Sequence, residues 1–567
     1  MFWQTKTDYE FGPFRIDAGE RQLLRHGQIV PLTPKVFDVL LALVQHNGRI
    51  LTKDEVIRLV WPDTTVEEGN LSRNISTLRC ALGERPREGR YIETIPWRGY
   101  RFVAAVRQVT DHEQRPAIES IAILPLLNVN ADAKLEYLAD GIAETLTSKL
   151  AQLTNLRVTS RNSSFRYKGR DPDVKTIGRE LKVQAVLIGR IAETEDMLSI
   201  SVELVETVDD RHIWGAQYIR KRTDLLAAQE TIAKQIAERL RIELTGGEQE
   251  MLVKRHTNNN EAYFALLKGR YHFNKLTFDG VQKASAYFRE AIEKDANYAL
   301  AYAGLADCNN YLNERNQAKQ AVLKALELDE SLGEAHASLG FFKFLYEWDF
   351  AGAESEFMTA VALSPNYAEA HHWYAVYLAN MGRHDEAFRE AELAVERDPL
   401  SLLMNMTAAL NFYTGREYDR AIDQLKKVIE MEANFPAAQS VLGCVYMQKE
   451  MYDQALAQFE KVFELCKGTV PVENSVKILK AQAHARSGNI REAKKLLEET
   501  GDGPASSYSI AGVHAALGDS DKAFEFLRNA LDQRDLQMVS LKVDPTLDPL
   551  RDDSRFVNLI REVGLPI

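Results

Sequence analysis

Between Asn70 and Leu82 four apolar residues, Leu71, Ile75, Leu78 and Leu82, recur at helical spacing, which gathers Asn70, Arg73, Asn74 and Thr77 on the opposite face. Those types suit the edges of base pairs. Arg donates two bonds to guanine, Asn pairs with adenine, and Thr meets either a base or a phosphate. The same face also fits an ordinary solvated helix, so the pattern alone leaves both readings open. A second group lies close behind it. The run from Tyr91 to Val103 reads as a two-stranded hairpin with Trp97, Arg98 and Gly99 at or near its tip, and Arg98 and Arg101 make that tip basic. A basic tip reaches a phosphate or a minor groove. Thr52, three residues before Glu55, forms a capping box at a helix start and is counted with the backbone-contacting residues. Of Arg85, Arg87 and Arg90 in the intervening loop, at least one is read as plain solvated loop.

The remaining polar clusters point away from catalysis. There is no nucleophile elbow, zinc-ligand spacing, Walker loop or paired acid constellation, and Gly169 and Gly189 do not form a phosphate-cradling pattern. The predicted loop Ser160 to Lys168 holds Arg161, Arg166 and several hydroxyls. An anion or nucleotide pocket is one reading; local capping by Ser and Asn is favoured. His371-His372 is discounted as a metal site, because adjacent helical residues point in different directions. Cys80, Cys308, Cys444 and Cys466 are scattered, with no Cys-x-x-Cys pair, which fits a reducing compartment. No enzyme activity and no cofactor are expected.

These groups need scaffolds. At 567 residues the chain exceeds one core, and about three or four domains are expected. No stretch approaches the roughly 20 apolar residues of a membrane helix, so no membrane partner is expected and the location is read as cytoplasmic. The net charge of −12 argues against nucleic acid as a partner, but it hides an asymmetry. Met1 to Gln108 carries 16 Lys and Arg against 13 Asp and Glu, and Asn70 to Arg107 carries 8 Arg against 3 Glu. A small basic region sits on an acidic protein.

The first region opens with short alternating runs, Phe11 to Asp17 and Gln22 to Leu32. A helix then starts at Thr33-Pro34 and ends at Asn47-Gly48, a second runs from Thr52 to Trp61, and a third from about Glu67 to Leu82. Strands, three helices and a closing hairpin in this order resemble the OmpR/PhoB-type winged helix-turn-helix, over residues 1–106. The matching residues are Leu32-Thr33-Pro34, Asn70 to Leu82 in the recognition-helix position, and Tyr91-Ile92-Glu93-Thr94 followed by Arg98-Gly99-Tyr100-Arg101-Phe102. The segment is similar to the N-terminal ends of CadC-like and HilA-like regulators, with the expectation that no receiver domain precedes it and no membrane helix follows. The resemblance implies double-stranded DNA as partner, with Asn70, Arg73, Asn74 and Thr77 on the bases and Arg98, Arg101 and Thr52 in the wing and backbone contacts. RNA polymerase is a further partner the reading admits.

After a polar linker, 107–117, strands and helices alternate over 118–245 and imply an α/β or α+β sandwich. Ile121-Ala-Ile-Leu-Pro125, Tyr137-Leu-Ala-Asp-Gly141, Ser160-Arg-Asn-Ser-Ser164 and Leu187-Ile-Gly-Arg190 resemble the TolB N-terminal-like, or FlgO-like, domains. From 256 to 567 Ala284, Ala318, Ala353, Ala387, Ala421, Ala455, Ala493 and Ala523 recur near the 34-residue tetratricopeptide period, with slips at Ala353 and Ala493. Large apolar residues such as Phe288, Phe357, Leu425 and Phe459 stand four positions later. About eight repeats are expected, forming an all-α curved solenoid closed by a capping helix within Asp553 to Pro566. Its inner face is the expected seat of a protein or peptide ligand, with Tyr302, Asn309, Asn405, Asn411 and Tyr446 as contacts, although core packing is the better reading of the aromatics. The function that follows is a one-component DNA-binding regulator whose central domain or array receives a protein or small-molecule signal. The alternative is a repeat scaffold whose winged helix mediates protein contacts.

Overall fold

The computed structural model of the chain describes residues 8–17, 21–25, 28–62, 66, 68–84, 90–109, 118–170, 173–194, 197–240, 242, 244–275, 277–312, 314–500 and 506–567. It divides into two compact units, Met1–Ala117 and Ile118–Ile567.

In the first unit the short alternating runs become β1 (Asp8–Phe11), β2 (Phe14–Asp17), β3 (Gln22–Arg25) and β4 (Gln28–Val30). Then come α1 (Pro34–Gln45), β5 (Ile50–Thr52), α2 (Lys53–Val60), α3 (Glu68–Ala81), β6 (Ile92–Ile95), β7 (Gly99–Phe102) and β8 (Arg107–Val109). One antiparallel sheet has the order β4-β3-β2-β1-β8 and a second the order β5-β7-β6. Arg107–Val109, read as linker from the sequence, are thus a strand, and the rest of that linker lies outside the described residues.

Local chemistry sets the helix starts. Pro34 occupies the first turn of α1, but Thr33 makes no side-chain cap bond, so its contribution is its extended backbone alone. At α2 the capping box is complete: Thr52 Oγ1 accepts from Glu55 N at 3.2 Å and Thr52 N donates to Glu55 Oε2 at 2.8 Å. Leu71, Ile75 and Leu78 of α3 are buried in one core with Phe37, Leu40, Leu41 and Val44 of α1. An aromatic cluster joins the two sheets to this core, with Phe11 4.9 Å from Phe102 and Phe14 5.7 Å from Tyr91. Each such buried side chain contributes about 1.5–3 kcal/mol.

The second unit opens with a mixed sheet. Its strands are β9 (Ser120–Ile123), β10 (Leu127–Asn128), β11 (Arg157–Val158), β12 (Ala185–Thr194), β13 (Met197–Glu206) and β14 (Arg211–Lys221), in the order β11-β9-β12-β13-β14 with β10 beside β12. Pairs β11–β9, β9–β12 and β10–β12 are parallel; β12–β13 and β13–β14 are antiparallel. Helices α4 (Ala133–Leu150), α5 (Arg161–Phe165), α6 (Val174–Leu181), α7 (Leu225–Leu240) and α8 (Gly246–Val253) complete this part. Leu138, Ile142 and Leu146 of α4 and Ile232 and Ile236 of α7 pack with Ile121, Ile123 and Leu187, while Ile177 and Leu181 of α6 pack with Ala122 and Val186. The alternating strand faces explain the two covers, because β9 and the start of β12 are apolar on both. The predicted loop 160–168 contains α5, capped by Ser160 Oγ accepting from Asn162 N. Arg161 Nε pairs with Glu144 at 2.9 Å and Arg166 donates to Leu400 O at 2.9 Å.

Eight helix pairs follow among the described residues: α9 and α10 (Asn260–Phe273, Phe278–Lys294), α11 and α12 (Ala299–Tyr311, Arg315–Leu328), α13 and α14 (Gly333–Phe342, Phe350–Leu363), α15 and α16 (Ala368–Asn380, His384–Arg397), α17 and α18 (Leu402–Thr414, Tyr418–Met431), α19 and α20 (Pro436–Gln448, Tyr452–Leu465), α21 and α22 (Val470–Arg486, Ile490–Glu498), and α23 and α24 (Ser507–Ala516, Ser520–Asp532), then α25 (Ser554–Val563). All eight repeated alanines are buried. The pairs interlock through glycine on the first helix and phenylalanine on the second. A Cβ at Gly269 would lie 2.6 Å from Phe288, at Gly340 2.8 Å from Phe357 and at Gly443 2.4 Å from Phe459. The two slips in the period have physical causes. A π-turn at Lys343–Glu347 prolongs α13, and α21 runs 17 residues where α19 runs 13.

The array does not stand free. Asn366, before α15, reaches into the sheet domain: its Nδ2 donates to Ala151 O (3.1 Å), Leu153 O (3.1 Å) and Leu156 O (2.7 Å), and its Oδ1 accepts from Val158 N (3.2 Å). Buried Asp398, after α16, accepts from Ser163 Oγ at 2.5 Å and Asn162 Nδ2 at 3.2 Å. At the other end the chain folds back, and Phe556, Leu559 and Val563 of α25 share a core with Phe344, Phe350 and Tyr377. Lys542 Nζ donates to Met381 O at 3.1 Å and Arg416 pairs with Asp548 at 2.7 Å. The curved solenoid expected from the period thus has its capping helix packed against its own third and fourth helix pairs. Asn309, Asn405 and Asn411 are buried, and Asn405 donates to Pro399 O and Ser401 O; Tyr302 and Tyr446 are half-buried in cores between helices. No helix among the described residues is long and apolar enough to cross a membrane.

Candidate functional site

Along α3 of the first unit Leu71, Ile75 and Leu78 are buried while Asn70, Arg73 and Thr77 are exposed and Asn74 is half-buried. Asn74 Nδ2 donates to Asn70 O at 2.8 Å and Thr77 Oγ1 to Arg73 O at 3.1 Å, so both side chains lie along the helix with their oxygens still able to accept. Arg73 has no ion pair or hydrogen bond among the described residues. Ser72 and Ser76 share this exposed surface; continuing the same helical spacing would have placed them there.

The arginines that crowd this part of the sequence separate into two kinds. Arg79 Nη2 donates to Ile92 O at 2.7 Å and Thr94 Oγ1 at 2.9 Å, tying α3 to the hairpin. Arg101 Nε donates to Glu93 Oε2 at 2.9 Å across β6 and β7, and Arg107 pairs with Glu10 at 3.1 Å. Arg98 is exposed with no such partner among the described residues, and Arg90 is exposed beside the Tyr91 ring at 5.2 Å. Arg85 and Arg87 lie outside the described residues. Of the predicted site residues, Arg73 and Arg98 are thus open cations, Arg101 is half-neutralised, and Thr52 is occupied as a helix cap.

The hairpin tip is tightly built. Arg98 N donates to Ile95 O at 3.1 Å, closing a turn with Pro96 and Trp97 at its centre. Trp97 has φ 64°, the left-handed region, which costs a bulky residue about 1–2 kcal/mol. Its indole is 100% exposed. A Cβ on Gly99 would lie 1.9 Å from Leu51 O, so only glycine allows β7 to approach β5 this closely.

The second unit holds a cavity of about 290 Å³ between the sheet domain and the first helices of the repeats. Glu144, Arg161, Arg270, Asp307, Glu334 and Glu369 are in its wall. Glu144 pairs with Arg161 at 2.9 Å and with Arg270 at 3.5 Å. Burial, reinforced by Glu334, pushes the Asp307 carboxyl up to about 7, and burial with nearby Asp398 pushes Glu369 up to about 8. His371 is held by Glu390 at 2.6 Å and Pro365 O at 2.9 Å, in the role of a tethered core histidine.

Comparison with known proteins agrees with this anatomy. Residues 27–102 match the family described as transcriptional regulatory protein, C terminal, and residues 356–389 and 437–469 match tetratricopeptide repeats. The chain is 26% identical over 412 residues to the transcriptional regulator HilA of Salmonella typhi, covering 70% of this chain and 72% of HilA. It is 31% identical over 236 residues to the "Putative adenylate cyclase 3" of Rhizobium meliloti, and spans only 40% of that protein's length. Among solved structures, the DNA-binding domain of E. coli CadC is 30% identical, with 18% of this chain and 97% of that domain covered at a TM-score of 0.17. The chain thus carries an OmpR/PhoB-type transcriptional regulatory domain at its N-terminal end and tetratricopeptide repeats in its C-terminal part.

Proposed function

We propose that the protein is a cytoplasmic, one-component transcription regulator that binds double-stranded DNA in a sequence-specific way. In this reading α3 lies in the major groove with Asn70, Arg73, Asn74 and Thr77 toward the bases, and the hairpin is the wing, with Arg98 on the backbone and Arg101 and Thr52 beside it. The observation that carries the proposal is the open state of Arg73 on the exposed face of α3, in a domain where Arg79, Arg101 and Arg107 are spent on internal bonds. A guanine contact or a phosphate contact is the natural use of a guanidinium left without a protein partner. No catalytic role is assigned to any residue.

The second unit receives the signal in this proposal, and two features support a small molecule over an extended peptide. The inner asparagines of the array are already buried, and the cavity beside Arg270, Asp307 and Glu369 has charged side chains in its wall. Regulation then requires that this ligand bind the DNA-competent and incompetent states unequally.

The test is recovery of genomic DNA fragments by the purified full-length chain, repeated with the double variant Arg73→Ala, Arg98→Ala. A shared motif that disappears with the variant is expected. A single Arg73→Ala change should weaken binding to the recovered motif by about 1–3 kcal/mol and reduce its salt dependence by about one phosphate or base contact. Absence of salt-dependent binding in the wild-type chain, alongside capture of a stable protein partner through the first unit, would instead favour the scaffold reading.

A further inference from the structure

Trp97 is placed against its own interest. Its turn has Pro96 at the second position and a left-handed residue at the third, the site where glycine or asparagine is preferred. Here that site holds the largest side chain available, and the indole is 100% exposed, more than any other large apolar residue among the described ones. Packing therefore cannot account for the indole, and backbone geometry opposes it. The support beneath it is rigid: β7 lies against β5 without room for a Cβ at Gly99, and Arg79 bolts α3 to Ile92 and Thr94 on β6. The indole is thus held at a fixed distance and direction from the exposed face of α3, with the open cation Arg98 next to it in sequence.

We propose that Trp97 is a DNA-contacting residue, an apolar wedge that seats in the minor groove beside the site faced by α3. The inference rests on the DNA-binding reading above. DNA is the occupant favoured because the groove is lined by deoxyribose, an apolar wall, between phosphates that Arg98 can meet, and apolar side chains are used elsewhere to enter minor grooves at deformable base steps. The contact adds affinity without charge. It also confers preference for flanking steps that open easily, such as TA, at positions α3 does not reach.

The experiment uses the full-length chain, a genomic fragment it recovers, and the variants Trp97→Gly, Trp97→Phe and Arg98→Ala. Trp97→Gly removes both the indole and the strain, so the folded protein is kept or improved, and any loss of binding cannot come from unfolding. The expected result is an affinity at least 10-fold weaker for Trp97→Gly with an unchanged slope against salt, and recovery of much of the affinity in Trp97→Phe. Arg98→Ala should instead lower the slope by about one. Equal affinity of Trp97→Gly and wild type, with Arg73→Ala still weakened, would overturn the wedge and leave the DNA-binding reading standing. A loss seen only on fragments with two adjacent sites would also overturn it, because the indole would then be meeting a second copy of the chain. No DNA binding by the wild-type chain would overturn the reading and the wedge together.

Discussion

Removing one amide should loosen the joint between the sheet domain and the repeats. Asn366 is 5% exposed and serves four main-chain groups of residues 151–158, at 2.7 to 3.2 Å. In Asn366→Ala three carbonyls and one N–H lose this partner at once. A buried polar group left unsatisfied costs about 1–3 kcal/mol, and water entering the vacated space recovers part of that. The unfolding free energy of the second unit should therefore fall by about 3–5 kcal/mol. Asn366→Asp is the informative companion: it keeps an acceptor for Val158 N but sets a carboxylate against the three carbonyl oxygens, so it should be no better than alanine. Urea unfolding followed by circular dichroism and by tryptophan fluorescence measures both. A loss below about 1 kcal/mol in either variant would refute the idea that this amide carries the joint.

Gly99→Ala should destabilise the first unit by about 3 kcal/mol or more, because the new methyl meets main-chain atoms of Leu51 and Thr52 that cannot turn aside; thermal unfolding checks this, and DNA affinity should fall with it as the hairpin detaches. The second unit should lose stability as the pH rises from about 5 to about 8. Asp307 and Glu369 are raised in the folded state to about 7 and about 8, so the folded protein binds more protons than the unfolded chain across this window, and the stability is fully present below their ordinary values near 4 and lost through the raised ones. Melting temperatures recorded from pH 5 to 8.5 should show the decline in the wild type and a flatter profile in Asp307→Asn, Glu369→Gln.

Periodicity carried most of this fold into view from the sequence. The 3.6-residue pattern of Leu71, Ile75 and Leu78 fixes which side of α3 is outward, and the 34-residue recurrence of alanine reflects a real contact, the close approach of paired helices. What stayed hidden depends on partners distant along the chain. Arg79, Arg101 and Arg107 look as open as Arg73 until Thr94, Glu93 and Glu10 are found beside them. Trp97 could be set near the hairpin tip, but its full exposure follows from the turn geometry. Asn366 bonds residues more than 200 positions away, and nothing local marks it. The return of α25 onto Phe344 and Tyr377 was equally beyond reach, since a repeat period describes only neighbours.

That return changes how the array behaves as a material. An open solenoid is a spring, with each repeat touching only the next, so its ends fray first and its middle can stretch. Here the last helix is fastened to the third and fourth pairs, and Asn366 and Asp398 fasten the same region to the sheet domain. One end of the spring is fastened to its own middle. Its tail is a keystone: without α25, Phe344, Phe350 and Tyr377 at the centre would be bared, so damage at the end of the chain is felt in its middle. Stretching the array between Phe344 and Phe556 must break this shared core as well as the contacts between neighbouring repeats.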